Sequence, residues 1–276
     1  MRKSLNIRII KPISGWQSIN WLELWHYKDL FYFLVWRDIK TRYAQSVLGI
    51  GWSVIQPLFS MIVFTVVFGN LAKIESNGVP YAIFSFTALV PWTYFSGSLS
   101  ASSGSLLSAS GMITKVYFPR LIIPMVPVIS KLIDFFIALI LLAGMMYYFG
   151  FKPSIDIIYL PFLILLMMFT ASGLGMWFTA LSIQYRDINY GMGFFVQLLM
   201  YVAPVVYPSS NVPDAYRAFY GLFPIAGVIE GFRAILLQTI QMPWDLISTG
   251  TIVSIILFAS GSFYFRRMEK YFADVA

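Results

Sequence analysis

The chain contains no cysteine and one histidine, His26, and only 11% of its 276 residues are charged. The missing cysteines exclude disulfides, thiolate metal sites and cysteine nucleophiles together. A single histidine placed before the first long apolar run allows no nucleophile–histidine–acid set to be assembled. No Gly-rich phosphate loop occurs either, and no paired acidic motif marks a catalytic or metal site. Gly173 and Gly175 lie inside an apolar run and read as packing positions. Soluble domains carry about 25% charged residues, so too few charges remain here to coat a water-facing surface.

What is present is apolar, at 59% of residues, in long blocks rather than alternating strands. A helix needs about 20 apolar residues to cross the hydrocarbon core, and backbone groups in lipid must be satisfied internally. The predicted fold class is therefore all-α integral membrane: six transmembrane helices, an N-terminal interfacial helix, and re-entrant external helices before the last span. The predicted spans cover about 47–71, 79–100, 129–149, 158–183, 188–207 and 246–265. Residues 1–43 form a basic, aromatic cytoplasmic and interfacial segment. They carry Arg2, Lys3, Arg8, Lys11, Trp16, Trp21 and Trp25, and 21–43 is predicted helical. The first apolar run, Leu30 to Trp36, follows Glu23, Lys28 and Asp29. No signal peptide is expected, and insertion is expected to begin at an internal span. Residues 44–276 form the transmembrane domain. Within it, 208–242 is broken by Pro213, Gly221, Pro224, Gly227 and Gly231 and carries Asp214, Arg217, Glu230 and Arg233. Two short helices that dip into the membrane and return fit that pattern.

Charge placement sets an orientation. Fifteen of the 19 Lys and Arg residues fall on the side of the termini: eight before span 1, Lys115, Arg120, Lys131, Arg186 and three in the tail. Lys73, Lys152, Arg217 and Arg233 fall on the other. Positive-inside bias predicts both termini in the cytoplasm. The net charge of +7 is thereby assigned to membrane topology, and no nucleic-acid partner is expected. Asp134 lies one helical turn after Lys131. Both a structural ion pair and a proton relay are open for it. Residues 96–111, rich in serine, glycine and alanine, suit close helix packing or a flexible helix end near a gate.

Several segments resemble a known family. Trp36-Arg37-Asp38-Ile39-Lys40, Arg42-Tyr43, Ser46, Leu48-Gly49, Trp52 and Pro57 resemble the opening motif of polysaccharide-exporting ABC transporter permeases of the type-two class. Tyr117-Phe118-Pro119-Arg120 with Pro124, and Tyr185-Arg186-Asp187-Ile188, are similar to that family's two cytoplasmic loops. Pro224, Glu230-Gly231-Phe232-Arg233 and Leu236-Leu237 resemble its external re-entrant segment. The resemblance implies a homodimeric inner-membrane permease with two copies of a separate ABC ATPase. Its cargo would be a lipid-linked polysaccharide on undecaprenyl pyrophosphate, with O-antigen favoured. It implies no catalytic residue, no metal and no cofactor in this chain, because ATP and Mg belong to the ATPase. Teichoic acid, drug or lipid export, an intramembrane glycolipid enzyme and a non-transporting scaffold are the alternatives.

Three groups of site residues are compatible with that family. Arg37, Lys40 and Arg42 are candidates for the lipid head group, since Arg offers bidentate donors to phosphate and Lys a point charge. Anchoring to anionic lipid, or docking of the ATPase by Arg37–Asp38, accounts for them equally simply. Lys115, Tyr117, Phe118, Pro119 and Arg120 are the candidate ATPase-coupling segment, against a plain basic interfacial loop. Trp92, Tyr94, Phe95, Tyr201 and Tyr207 are candidates for stacking on sugar in a channel, against an interfacial aromatic belt. Glu230 and Arg233, at i and i+3, are an outer-gate candidate or a structural ion pair.

Overall fold

The computed structural model describes residues 21–44, 48–113, 115–185, 187–269 and 272. Ser46, Thr114, Arg186, Lys270 and the first twenty residues, with their cations and Trp16, lie outside the described residues. The described chain is helical and contains no strand. Its helices are α1 (Trp21–His26), α2 (Lys28–Tyr43), α3 (Trp52–Phe64), α4 (Tyr81–Ser108), α5 (Ser110–Ile113), α6 (Ile122–Ser130), α7 (Leu132–Phe149), α8 (Leu160–Gln184), α9 (Asp187–Val202), α10 (Asp214–Gly221), α11 (Pro224–Leu237) and α12 (Trp244–Met268).

Four helical stretches among the described residues have the length and composition to cross a membrane: Gly49–Leu71, Ile122–Phe149, Ile155–Gln184 and Trp244–Met268. The first joins a 3₁₀ turn, α3 and a π-helical turn (Thr65–Leu71). The second joins α6 and α7 across Lys131, and begins earlier than expected. Pro124 is tolerated there because the first turn of a helix needs no N–H partner. The predicted interfacial helix divides into α1 and α2 at Tyr27. The α4 helix has 28 residues and so reaches eight residues past the predicted end of span 2. It is long enough to cross but more polar than the four. The α9 helix has only 16 residues, and stops because Ala203, preceding Pro204, is disfavoured in the helical region.

The α4 helix is the centre of the bundle and touches α3, α6, α7, α8, α9 and α11. Hydroxyls at its contacts with α6 and α8 are satisfied by protein. Ser102 donates to Pro124 O at 2.8 Å, Thr179 to Ser102 O at 2.7 Å, and Ser182 to Ser103 O at 2.8 Å. A helix surrounded in this way tolerates serine that lipid would penalise. The α8–α12 contact depends on absent side chains. A Cβ on Gly261 would lie 2.4 Å from Gly173 O, and one on Gly173 2.6 Å from the Leu257–Phe258 backbone. Small residues permit this close approach, and Thr170 Oγ1 meets Ser254 Oγ at 2.8 Å beside it. Outward faces are apolar, as on α3 with Phe59, Ile62 and Val63, which suits lipid or a second protein surface.

Candidate functional site

The first candidate region is where α2 meets the bundle. Leu34 and Val35 pack on Ile122 and Val126 of α6. That contact leaves Arg37 and Lys40 exposed and turns Arg42 inward. Arg42 donates through Nη2 to Asp38 Oδ2 at 2.5 Å and to Ser130 Oγ at 3.1 Å, and through Nη1 to Asp134 Oδ2 at 3.0 Å. Asp134 is a hub. Its Oδ2 also takes Lys131 Nζ at 3.2 Å, and its Oδ1 accepts from Ser53 Oγ at 3.0 Å and from the Tyr43 hydroxyl. One carboxylate therefore ties α2, α3 and α7 together. Burial, and then the hydrogen bond to Asp134, push the Tyr43 phenol above its ordinary pKa of 10.0. Tyr43 is thus a donor throughout the physiological range. Two clefts flank this joint. One, of about 360 Å³, lies between α3, α4 and α7 and is lined by Lys131, Asp134, Gln56 and Trp52 among others. The other, of about 430 Å³, lies between α2, α4 and α6 beside Arg37.

The second region is the loop 115–121. Lys115 and Tyr117 are exposed, whereas Phe118 is buried with Leu121, Met176, Phe265 and Phe272. Arg120 Nη1 donates to Glu269 O at 2.7 Å, and its backbone N–H to Glu269 Oε1 at 3.4 Å. Tyr27 donates to Tyr117 O at 3.4 Å. The loop is thus fixed to Tyr27 between α1 and α2 and to the end of α12, with Pro119 half-buried between its inward anchors. Burial raises the Glu269 carboxyl above its ordinary value, with the Arg120 N–H and charge opposing that rise.

The third region is at the opposite end of the bundle. Glu230 and Arg233 on α11 are both fully buried and pair at 2.8 Å. Arg233 also donates to Tyr207 O at 3.2 Å and Val205 O at 3.0 Å, and its Cζ lies 3.6 Å from the Phe84 ring centroid. Glu230 Oε1 accepts from Ser209 N at 3.1 Å. Tyr81 adds a bond to Val206 O at 2.7 Å. The turn 203–209 is clamped by these side chains. Tyr207 closes α9 by donating to Tyr201 O and Val202 O at 3.1 and 3.0 Å, and Tyr201 is exposed. Trp92, Tyr94 and Phe95 lie in the middle of α4, buried within this chain. Tyr94 bonds Val128 O at 2.8 Å, and Phe95 meets Phe223. Ser53 and Ser130 at the α2 joint, and Tyr81 and Phe84 around Arg233, are not singled out by sequence; Asp38 and Tyr43 are named there within the opening motif, Asp38 also for ATPase docking, but not as partners of Arg42 and Asp134. The Asp38–Arg42 pair had a signal, the i,i+4 spacing on a helix. The others join across 80 residues or more.

A bundle with four helical stretches long and apolar enough to cross a membrane has the architecture of a multi-pass membrane protein. The model of the ABC-2 type transporter family matches residues 29–237, and the chain belongs to that family. It is similar to the O-antigen export system permease protein RfbA of Myxococcus xanthus, at 27% identity over 255 residues, covering 90% of this chain and 96% of that protein. RfbA of Klebsiella pneumoniae is 25% identical over 248 residues, covering 90% and 95%. The capsule polysaccharide export inner-membrane protein CtrC of Neisseria meningitidis is 23% identical, covering 78% and 83%. The family consists of transporter permeases rather than enzymes, with ATP hydrolysis on a separate subunit.

Proposed function

We propose that the chain is the permease subunit of an ATP-driven inner-membrane exporter that moves an undecaprenyl-pyrophosphate-linked polysaccharide, O-antigen in particular. The observation that carries this reading is similarity along nearly the full length of both partners to permeases named for O-antigen export. The capsule exporters match over a smaller share of the chain, which favours O-antigen over capsule. Function requires a homodimer around a channel and two copies of an ABC ATPase. In this reading α4 and α9 are the second and fifth of six membrane passes, the central position of α4 compensating for its serines. Both termini are cytoplasmic, and α10 and α11 dip into the outer leaflet and return.

The roles of the side chains follow from what each is free to touch. Arg37 and Lys40 meet the pyrophosphate head group, and Arg42 positions α2 from below them. Lys115 and Tyr117 face the ATPase, while Phe118, Pro119 and Arg120 transmit its movement to α12. Tyr201 and Tyr207 stand at the outer mouth. Glu230 and Arg233 hold the frame of that gate, and Trp92, Tyr94 and Phe95 brace the channel wall from behind. No metal or cofactor is required in this chain. The test is deletion of the gene followed by localisation of lipid-linked polymer. Accumulation on the cytoplasmic face is expected, restored to export by the intact gene. Unchanged surface polymer in the deletion strain refutes the reading.

A further inference from the structure

The 430 Å³ cleft between α2, α4 and α6 is large enough for a small amphiphile's polar end, within the size range of ligand pockets. Its chemistry is uneven in a specific way. On the α2 wall the Arg37 guanidinium is exposed and has no ion pair or hydrogen bond among the described residues. The adjacent carboxylate does not neutralise it, because Asp38 Oδ2 is held by Arg42 and Ser130, each at 2.5 Å. The cleft therefore presents an unopposed positive charge in a planar fork of donors, the geometry that matches phosphate oxygens. The α6 wall is apolar, from Ile123, Val126 and Pro127, with Leu34 of α2 beside it.

The third wall belongs to α4 and is made of small residues, Ser100, Ala101, Gly104 and Ser108. Ser108 donates its proton to Gly104 O at 3.1 Å, and Thr41 across the cleft donates to Arg37 O at 2.8 Å. Both hydroxyls consequently turn lone pairs, rather than protons, outward. Lone pairs accept from the hydroxyls of a sugar and offer nothing to phosphate. At Gly104 an added Cβ would meet only Asn189 Oδ1, at 3.9 Å. The space beside it is open, and no packing contact demands glycine there.

We propose that this cleft seats the diphosphate of a polyprenyl-diphosphate-linked glycan. Arg37 binds the phosphates, the α4 hydroxyl wall receives the first sugar, and the apolar wall takes the first prenyl units. The assignment rests on the head-group role given to Arg37 above and adds the seat and its α4 wall. It also separates two arginines five residues apart on α2, with Arg37 touching the ligand and Arg42 holding α2 in place.

The experiment measures equilibrium binding of a radiolabelled polyprenyl diphosphate to the purified permease–ATPase complex in nanodiscs, with inorganic pyrophosphate as competitor. Gly104→Leu adds bulk to the α4 wall at a position where a Cβ meets nothing nearer than 3.9 Å, and replaces a glycine by a better helix former. Gly144→Leu, at an equally open helical glycine on α7, is the control. Both variants are checked for unchanged thermal melting. Gly104→Leu and Arg37→Gln are each expected to weaken binding about tenfold or more, the loss of one charge-assisted contact or its site. Gly144→Leu is expected to bind as the parent does, and pyrophosphate to compete poorly because it leaves the apolar wall empty. Loss with Arg37→Gln but parental binding with Gly104→Leu overturns the cleft and leaves the head-group role standing. Parental binding in both overturns that role as well. Pyrophosphate competing as strongly as the lipid shows a free-phosphate site and overturns the lipid assignment.

Discussion

Arg233→Met is the perturbation with the largest expected effect, and its size follows from what the guanidinium holds. Removing it leaves Glu230 as a fully buried carboxylate without its counter-charge. Breaking a buried pair from one side costs about 3–5 kcal/mol. The carbonyls of Val205 and Tyr207 lose their donors as well, which is one reason the upper part of that range applies. For a chain of this size 1 kcal/mol corresponds to roughly 2–4 °C in melting temperature, so the apparent midpoint in detergent should fall by roughly 6–20 °C. The double variant Glu230→Gln/Arg233→Met removes both charges, and the Gln side-chain oxygen still accepts from Ser209 N. Only the orphaned carbonyls then remain, at about 1–3 kcal/mol. The double variant should be more stable than Arg233→Met alone, a negative coupling measurable as a thermodynamic cycle. Arg217→Gln serves as the contrast. Its pair with Asp245 is about half exposed on both sides, so its loss should cost at most about 1 kcal/mol and vanish in high salt. If the Arg233→Met midpoint moves no further than that of Arg217→Gln, or if the double variant is as unstable as the two single losses combined, the clamp described for 203–209 is wrong.

Asp134→Asn removes the charge that Arg42 and Lys131 share, and Asp134 is about a quarter exposed, so the loss should fall below the fully buried case, at about 2–3 kcal/mol. Lys131→Met should cost less, since Arg42 still opposes Asp134; the two midpoints measured side by side check the order. Gly173→Ala and Gly261→Ala should each destabilise by about 1–3 kcal/mol or more through overpacking of α8 on α12, whereas Gly144→Ala should be neutral or slightly stabilising; equal melting in all three refutes the close contact. Glu269, with its folded-state pKa raised by burial above an ordinary 4.5, binds more protons folded than unfolded in the window just above that value. Stability should therefore fall as pH rises through the folded pKa, and Glu269→Gln should flatten that dependence and raise the midpoint at pH 7. A midpoint that rises with pH across the window, or an unchanged profile in the variant, contradicts the sign.

The apolar blocks made four crossing segments legible because a run of 20 apolar residues has few soluble uses. The prolines and glycines between 208 and 242 likewise announced the two short helices α10 and α11. What was not legible has local causes. Serine and glycine in 96–108 are ambiguous between helix end and loop, and α4 continues there with Ser102 donating to α6 and with Thr179 and Ser182 of α8 donating to α4 carbonyls. The run 188–207 looked like a full span, but the backbone restriction before Pro204 ended α9 early. At the α2 joint, Lys131 and Asp134 were visible as an i,i+3 pair. Arg42, Tyr43 and Ser53 reach the same carboxylate from 81 to 92 residues away, and no spacing rule carries such a contact.

The charge count behind the predicted orientation treats every lysine and arginine alike, and the side-chain geometry does not. Arg42 lies against two carboxylates, Asp38 and Asp134, so its charge is largely compensated within the protein and contributes to holding α2. Arg37 carries the same formal charge five residues earlier with no ion pair among the described residues. An anion arriving from the lipid–water boundary is therefore attracted to Arg37 and gains little from Arg42. The same contrast distinguishes the two ends of the bundle. At the α2 end, cations remain available on the surface of a helix fixed by its neighbours. At the other end Arg233 is buried under Phe84 and bonded to backbone carbonyls that irregular chain would otherwise leave unsatisfied. Arg37 is thus left open at the surface, and Arg233 is bound to the backbone. Substituting Arg37 should therefore change binding with little change in stability, and substituting Arg233 should change stability first.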